Sequence, residues 1–243
     1  MPYTSMPASG APTCRRALLA LRALANRKKA KRMAQFFKTG EGQYGAGDRF
    51  LGISVPAIRQ LTNKFSAMPL AECRQLLLSP YNDARLLALL VMVQQYRNGD
   101  ERAQVAICRF YVRHRRRVNN WNLVDSSAPY ILGAQLLKRK RSVLYQLTRS
   151  SSLWDRRIAV LATLMFIRHG DYADTLRIAR LLLADKQDLI HKACGWMLRE
   201  VGKRQRSRLE EFLTANHRLM PRTMLRYAIE RLPARKRRAY LQR

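Results

Sequence analysis

From Cys14 onward the apolar residues recur at intervals of three and four, the spacing that lays one stripe along an α-helix. The pattern holds through "LLALRALANRKKAKRMAQFF", "AECRQLLL", "ARLLALLVMVQQY", "RRIAVLATLMFI", "DTLRIARLLL" and "KACGWMLREV". No stretch alternates convincingly as a half-buried strand does, so the fold class is all-α. Between the helical runs, Pro56, Pro69 and Pro221 suit first helical turns, and Asn82, Ser152 and Asp171 suit helix starts. A weak internal period accompanies the pattern. Aligning "ARLLALLVM", "RRIAVLATL" and "HKACGWMLREV" puts Arg85, Arg157 and Lys192 at equivalent points, separated by units of roughly 35 residues, the length of a helical hairpin. The expected architecture is a solenoid of helix pairs, which buries its core between neighbouring repeats and leaves one curved face free.

Charge narrows what that face would meet. The chain of 243 residues carries 47 Lys and Arg against 16 Asp and Glu, a formal net charge of +31 spread along its length. Such an excess opposes compaction, and its natural counterpart is a polyanion, with nucleic acid first. If Arg85, Arg157 and Lys192 project from the same helix of each pair, they form a cationic track for a phosphate backbone. The alternative is that each pairs with a local acid, and acids look too few for that.

Other classes fall away. No apolar run reaches the roughly 18 residues of a spanning helix, and no charged-then-apolar signal stands at the N-terminus, so a cytoplasmic protein is expected, nucleoid-associated when bound. Cys14, Cys73, Cys108 and Cys194 are scattered without a CxxC pair, and the four histidines show no HExxH, so reduced thiols and no metal are expected. The glycine-rich stretch Thr39 to Asp48 reads as the longest loop, flexible and without the GxxxxGK[ST] of a nucleotide-binding loop. Residues 1–13 read as a disordered leader, and residues 14–243 as one repeat domain.

The residues able to carry chemistry are few. In "VNNWNLVDSS", Trp121 and Asp125 lie one helical turn apart, so indole and carboxylate share a face, with Asn119 and Asn120 as candidate caps. On spacing alone Trp121 could equally be core and Asp125 the partner of a neighbouring arginine. Trp154 reads as a core plug or a helix staple. Trp196 follows Gly195, a residue unfavourable inside a helix unless something packs closely there, which tilts Trp196 toward lining a site.

Taken in order, "DRFLGISVPAIRQL", "NNWNLVDSS", "LWDRRIAVL" and "KACGWMLREV" resemble the AlkD-like DNA alkylation repair enzymes, built from HEAT-like helical repeats. The resemblance covers about residues 30–232. It implies a monofunctional DNA glycosylase that removes cationic N3- and N7-alkylated purines from duplex DNA with neither metal nor cofactor, and a monomer is expected. By the same resemblance, Trp121 and Asp125 lie beside the lesion's deoxyribose, Arg157 holds a phosphate, and Trp196 completes the sugar's surroundings. Arg156, Arg85, Lys192 and Phe36 join the expected DNA contacts; at Phe36 some family members have tyrosine. The chemistry is coherent, because losing a cationic base puts positive charge on the sugar, where a carboxylate is attractive and flat indoles exclude water. Two rivals stand beside this reading. One is a non-catalytic repeat protein for branched or damaged nucleic acid, the other a helical scaffold for an acidic protein. Against both stands an acid retained on a cationic face, where it would repel phosphate.

Overall fold

The computed structural model describes residues 11–242, which contain fourteen α-helices and no strand. Residues 1–10 of the expected leader lie outside the described residues. Thr13, the leader's last residue, is a helix cap whose side chain accepts a hydrogen bond from the Arg16 N–H at 3.4 Å. The chain divides into two compact units, one ending at Ala103 and the other starting at Gln104.

The first unit holds α1 (Cys14–Ala23), α2 (Arg27–Phe36), α3 (Val55–Lys64), α4 (Leu70–Leu77) and α5 (Asn82–Asn98). Helix α5 is the hub. Apolar on nearly every side, it buries Leu86 to Leu89 and Val91 to Val93 against α3 and α4, with α1 resting on α4. Burial of this kind stabilises by about 1.5–3 kcal/mol for each large aliphatic side chain. Helix α2 is the opposite case, with five cations, no acid and no buried residue. The glycine-rich stretch is a run of turns closed by backbone bonds such as Gly45 N–H to the Lys38 carbonyl at 3.0 Å. Its last residue, Asp48, is buried.

Helix α6 (Glu101–His114) begins three residues before the boundary, and the second unit continues with α7 (Trp121–Ser127), α8 (Ser142–Thr148), α9 (Leu153–Arg168), α10 (Ala173–Leu181), α11 (Asp188–Arg204), α12 (Arg206–Asn216), α13 (Arg222–Ile229) and α14 (Ala234–Leu241). Here the pairing expected from the period is visible. Helix α9 packs on α7, α8, α10 and α11, and α11 packs in turn on α12 and α13. Gly195 explains itself in this packing. A Cβ there would lie 2.5 Å from the Met224 carbonyl oxygen and 2.5 Å from the Tyr227 Cβ, so its absence lets α13 approach α11.

Candidate active site

Helix α7 begins where the sequence places it. Asn120, fully buried and in extended backbone, caps it through its side-chain oxygen, which accepts the Trp121 N–H at 2.8 Å. Asn120 is thus the cap, and Asn119 precedes it. One turn on from Trp121 comes Asp125, as the spacing requires. Below them, Leu123 and Val124 are fully buried, and Ser127 shares a hydrogen bond with the buried Tyr111 of α6. The helix then widens into a single π-turn, Pro129–Gly133, in which the Gly133 N–H reaches back to the Ala128 carbonyl at 2.9 Å. Gly133 has no room for a side chain, since a Cβ would sit 2.2 Å from the Ala162 carbonyl oxygen of α9.

Helix α9 supplies the counter-charge. Ser152 caps it, and Asp155, Arg156 and Arg157 fall in its opening turns. Arg157 grips Asp125 in a two-pronged ion pair, Nε to Oδ1 at 2.9 Å and Nη2 to Oδ2 at 2.7 Å. Its remaining nitrogen, Nη1, donates to the Leu189 carbonyl of α11 at 2.6 Å. One guanidinium therefore joins α7, α9 and α11. Such a fork fixes a carboxylate's orientation as well as its charge.

Solvent reaches the two partners unequally, with 17% of the Asp125 side chain exposed against 6% of Arg157. Burial pushes the Asp125 carboxyl above the ordinary aspartate value, and the Arg157 charge and hydrogen bonds only partly offset it. Each carboxylate oxygen can accept two hydrogen bonds, and Arg157 takes one from each. The group that results is an oriented anion with acceptor capacity left over.

The expectation that acids are too few for the repeat-equivalent cations is corrected here. Arg85 is buried and bound to Asp48, with its Nη1 on the Ser79 carbonyl at 3.0 Å, so it cannot meet a phosphate in this arrangement. Arg157 faces Asp125, not solvent. Arg156 pairs with Asp185 at 2.6 Å and donates to the Ser150 and Ser151 carbonyls at 2.9 Å. Lys192 pairs with Asp188, one turn earlier on α11, at 2.8 Å. The physical reason is placement: the acids are few in number but lie within reach of these cations, Asp48 and Asp185 from connections, Asp188 from a helix start and Asp125 from within α7.

The tryptophan candidates stand on three helices, α7, α9 and α11. Trp121, Trp154 and Trp196 are all half-buried. Trp196 donates a side-chain hydrogen bond to Glu200 one turn along α11; partial burial would raise Glu200, but the bonds from Lys203, Arg204 and Trp196 outweigh it and hold the carboxyl low. Phe36, in the first unit, is 65% exposed at the end of the cationic α2 and meets Phe37 edge-on at 5.2 Å. Sequence reasoning missed the turn Arg115–Arg117 immediately before α7. Arg115 reaches the Asp155 carboxylate at 3.1 Å, while Arg116 and Arg117 are exposed. The signal was available in "RHRRR", residues 113–117. Among the described residues no cluster of His, Cys, Asp and Glu could hold a metal ion, and no helix is long and apolar enough to cross a membrane.

The model of the family described as DNA alkylation repair enzyme matches residues 17–232. Among solved structures, a predicted DNA alkylation repair enzyme from Enterococcus faecalis superposes with a TM-score of 0.68 at 18% identity, covering 86% of this chain and 97% of the other. At that identity the likeness speaks for the helical-repeat fold. A comparison with curated proteins gave no match.

Proposed function

The chain belongs to the DNA alkylation repair enzyme family, and on that premise we propose that it is a monofunctional DNA glycosylase hydrolysing the N-glycosidic bond of cationic 3- or 7-alkylated purines in duplex DNA. The observation that carries this reading is Asp125. It is a carboxylate kept partly open to solvent in a strongly cationic chain, oriented by a fork from Arg157 and held partly desolvated.

The chemistry follows from charge. As the bond between the sugar's anomeric carbon and the purine nitrogen breaks, the electron pair goes to the base, which leaves neutral, and positive charge appears on the sugar. Asp125 stabilises that charge and orients a water, which adds to the anomeric carbon as its proton passes to the Asp125 carboxylate. Because the alkylated base is already a good leaving group, the step needs no strong acid. Trp121, one turn before Asp125, shields the sugar from bulk water, and Trp196 contributes a second flat wall. Arg157 acts through Asp125 by fixing its orientation, in place of the phosphate contact expected from sequence.

Incubating the protein with duplex DNA containing 7-methylguanine or 3-methyladenine and measuring released base tests the reading. Asp125→Asn is expected to slow release on the order of 100-fold or more, the usual loss for one preorganised electrostatic group. Release by the parent no faster than by the variant would overturn it. The satisfied Asp125–Arg157 pair also supports a second reading, a DNA-binding repeat protein without excision. On that reading parent and variant would both be inactive, and would bind damaged duplex alike.

A further inference from the structure

The family match ends at residue 232, yet the chain goes on to form another helix. Helix α14 reads ARKRRAYL, buries nothing, and crowds Arg235, Lys236, Arg237 and Arg238 into successive positions without an acid. Like charges packed this closely on one helix destabilise it. It is nevertheless fastened in place. Lys236 pairs with Glu210 of α12 at 2.7 Å, Arg222 of α13 donates to the Leu241 carbonyl at 2.8 Å, and Tyr240 meets His217 edge-on at 5.4 Å. A tail that served only for solubility would need none of these contacts.

Beside it lies a groove of about 380 Å³ among α11, α12 and α13, floored by Leu209, Ala228 and Leu232 and rimmed by Lys203, Arg206 and Arg231. Groove and helix form one surface, because a single oxygen of Glu210 accepts both Arg206, at 2.8 Å, and Lys236. Residues 203–242 hold twelve Lys or Arg and three acids, so this end of the second unit is short of counter-charge even after its ion pairs form.

We propose that α14 and the groove beside it are a second, sequence-independent seat for the phosphate backbone of duplex DNA, separate from the site at Asp125. Arginine predominates there, and its planar fork suits phosphate oxygens. A backbone lying on Arg231, Arg235 and Arg238 relieves their mutual repulsion and adds released counterions to the affinity without reading sequence. The proposal rests on DNA as the polymer this chain acts on and is independent of base excision.

The test uses the full chain and an undamaged duplex, with the dissociation constant followed by fluorescence anisotropy across a salt series. Arg235→Ala with Arg238→Ala is expected to weaken binding on the order of tenfold at low salt and to flatten the plot of log affinity against log salt by about 1.8, near 0.9 for each lost contact. Arg235→Lys with Arg238→Lys keeps the charge and is expected to keep most of the slope. Base release per bound complex stays unchanged, so failure here is distinguishable from failure of the glycosylase reading. Parental affinity and slope in the alanine pair, with helix content unchanged by circular dichroism, would overturn the proposal. So would loss of polyglutamate binding with DNA binding intact, which would assign the surface to an acidic protein.

Discussion

Arg85 and Arg157 stand at matching points near the starts of α5 and α9, and each is paired with an aspartate from an earlier segment of the chain. Their relation to water differs. The Asp48–Arg85 pair is sealed, with side chains 3% and 4% exposed, and Asn82 supplies a further bond to Asp48 at 2.9 Å. In the Asp125–Arg157 pair the arginine is nearly as buried, but the carboxylate keeps an open edge. The first arrangement makes its polar contacts inside the fold, with the Arg85 Nε left without a partner among the described residues; the second leaves an anion oriented and reachable. The same interaction thus serves as a sealed clamp in one unit and, on the proposed function, as a mount for the reacting carboxylate in the other.

The difference can be broken by removing the acid from each pair. Asp48→Ala leaves Arg85 charged and buried, a change expected to cost about 3–5 kcal/mol of stability in urea unfolding. Asp125→Ala is expected to cost less, on the order of 1–2 kcal/mol, because solvent can reach the broken site. Equal losses would erase the distinction. A gentler test keeps the charge. Arg157→Lys removes the two-pronged grip, and a misplaced carboxylate is expected to slow base release on the order of 10- to 100-fold while duplex affinity holds. The smallest effect is on the pH profile. Burial raises the Asp125 carboxyl, so base release is expected to fall on the acid side at a pH above the ordinary aspartate value and to recover as pH rises through it. Asp125→Asn should abolish that limb. Stability runs the other way: a folded-state value above the unfolded one favours the protonated form, so this group's contribution is present at low pH and is lost as pH rises through the folded value.

Much of this was legible in the sequence, and what was not has a common cause. Periodicity located the helices, and the caps at Asn120 and Ser152 follow from short polar side chains that satisfy free backbone N–H groups. Gly195 announced a close contact, which turns out to be α13. Trp121, Asp125 and Arg157 could be singled out one by one, but the bond between the last two joins residues 32 positions apart, which no local pattern encodes. The burial of Arg85 was hidden for the same reason. Counting acids against bases treats charges as a pool, whereas the fold assigns Asp48, Asp155 and Asp185 to particular arginines. A charge ratio describes the surface better than it describes the joints.

The π-turn after Asp125 has a consequence for how the chain tolerates change in length. It fits one more residue into its turn than an α-helix would, and so offsets by about 100° the faces of everything that follows. Deleting one residue between Pro129 and Leu132 would let the turn close to α-helical pitch, where four residues cover nearly the rotation that five cover in the wider turn, so Trp121 and Asp125 stay in place and the downstream faces keep their phase. The turn therefore holds a spare residue: a single-codon deletion can be absorbed there, whereas a side chain at Gly133 cannot.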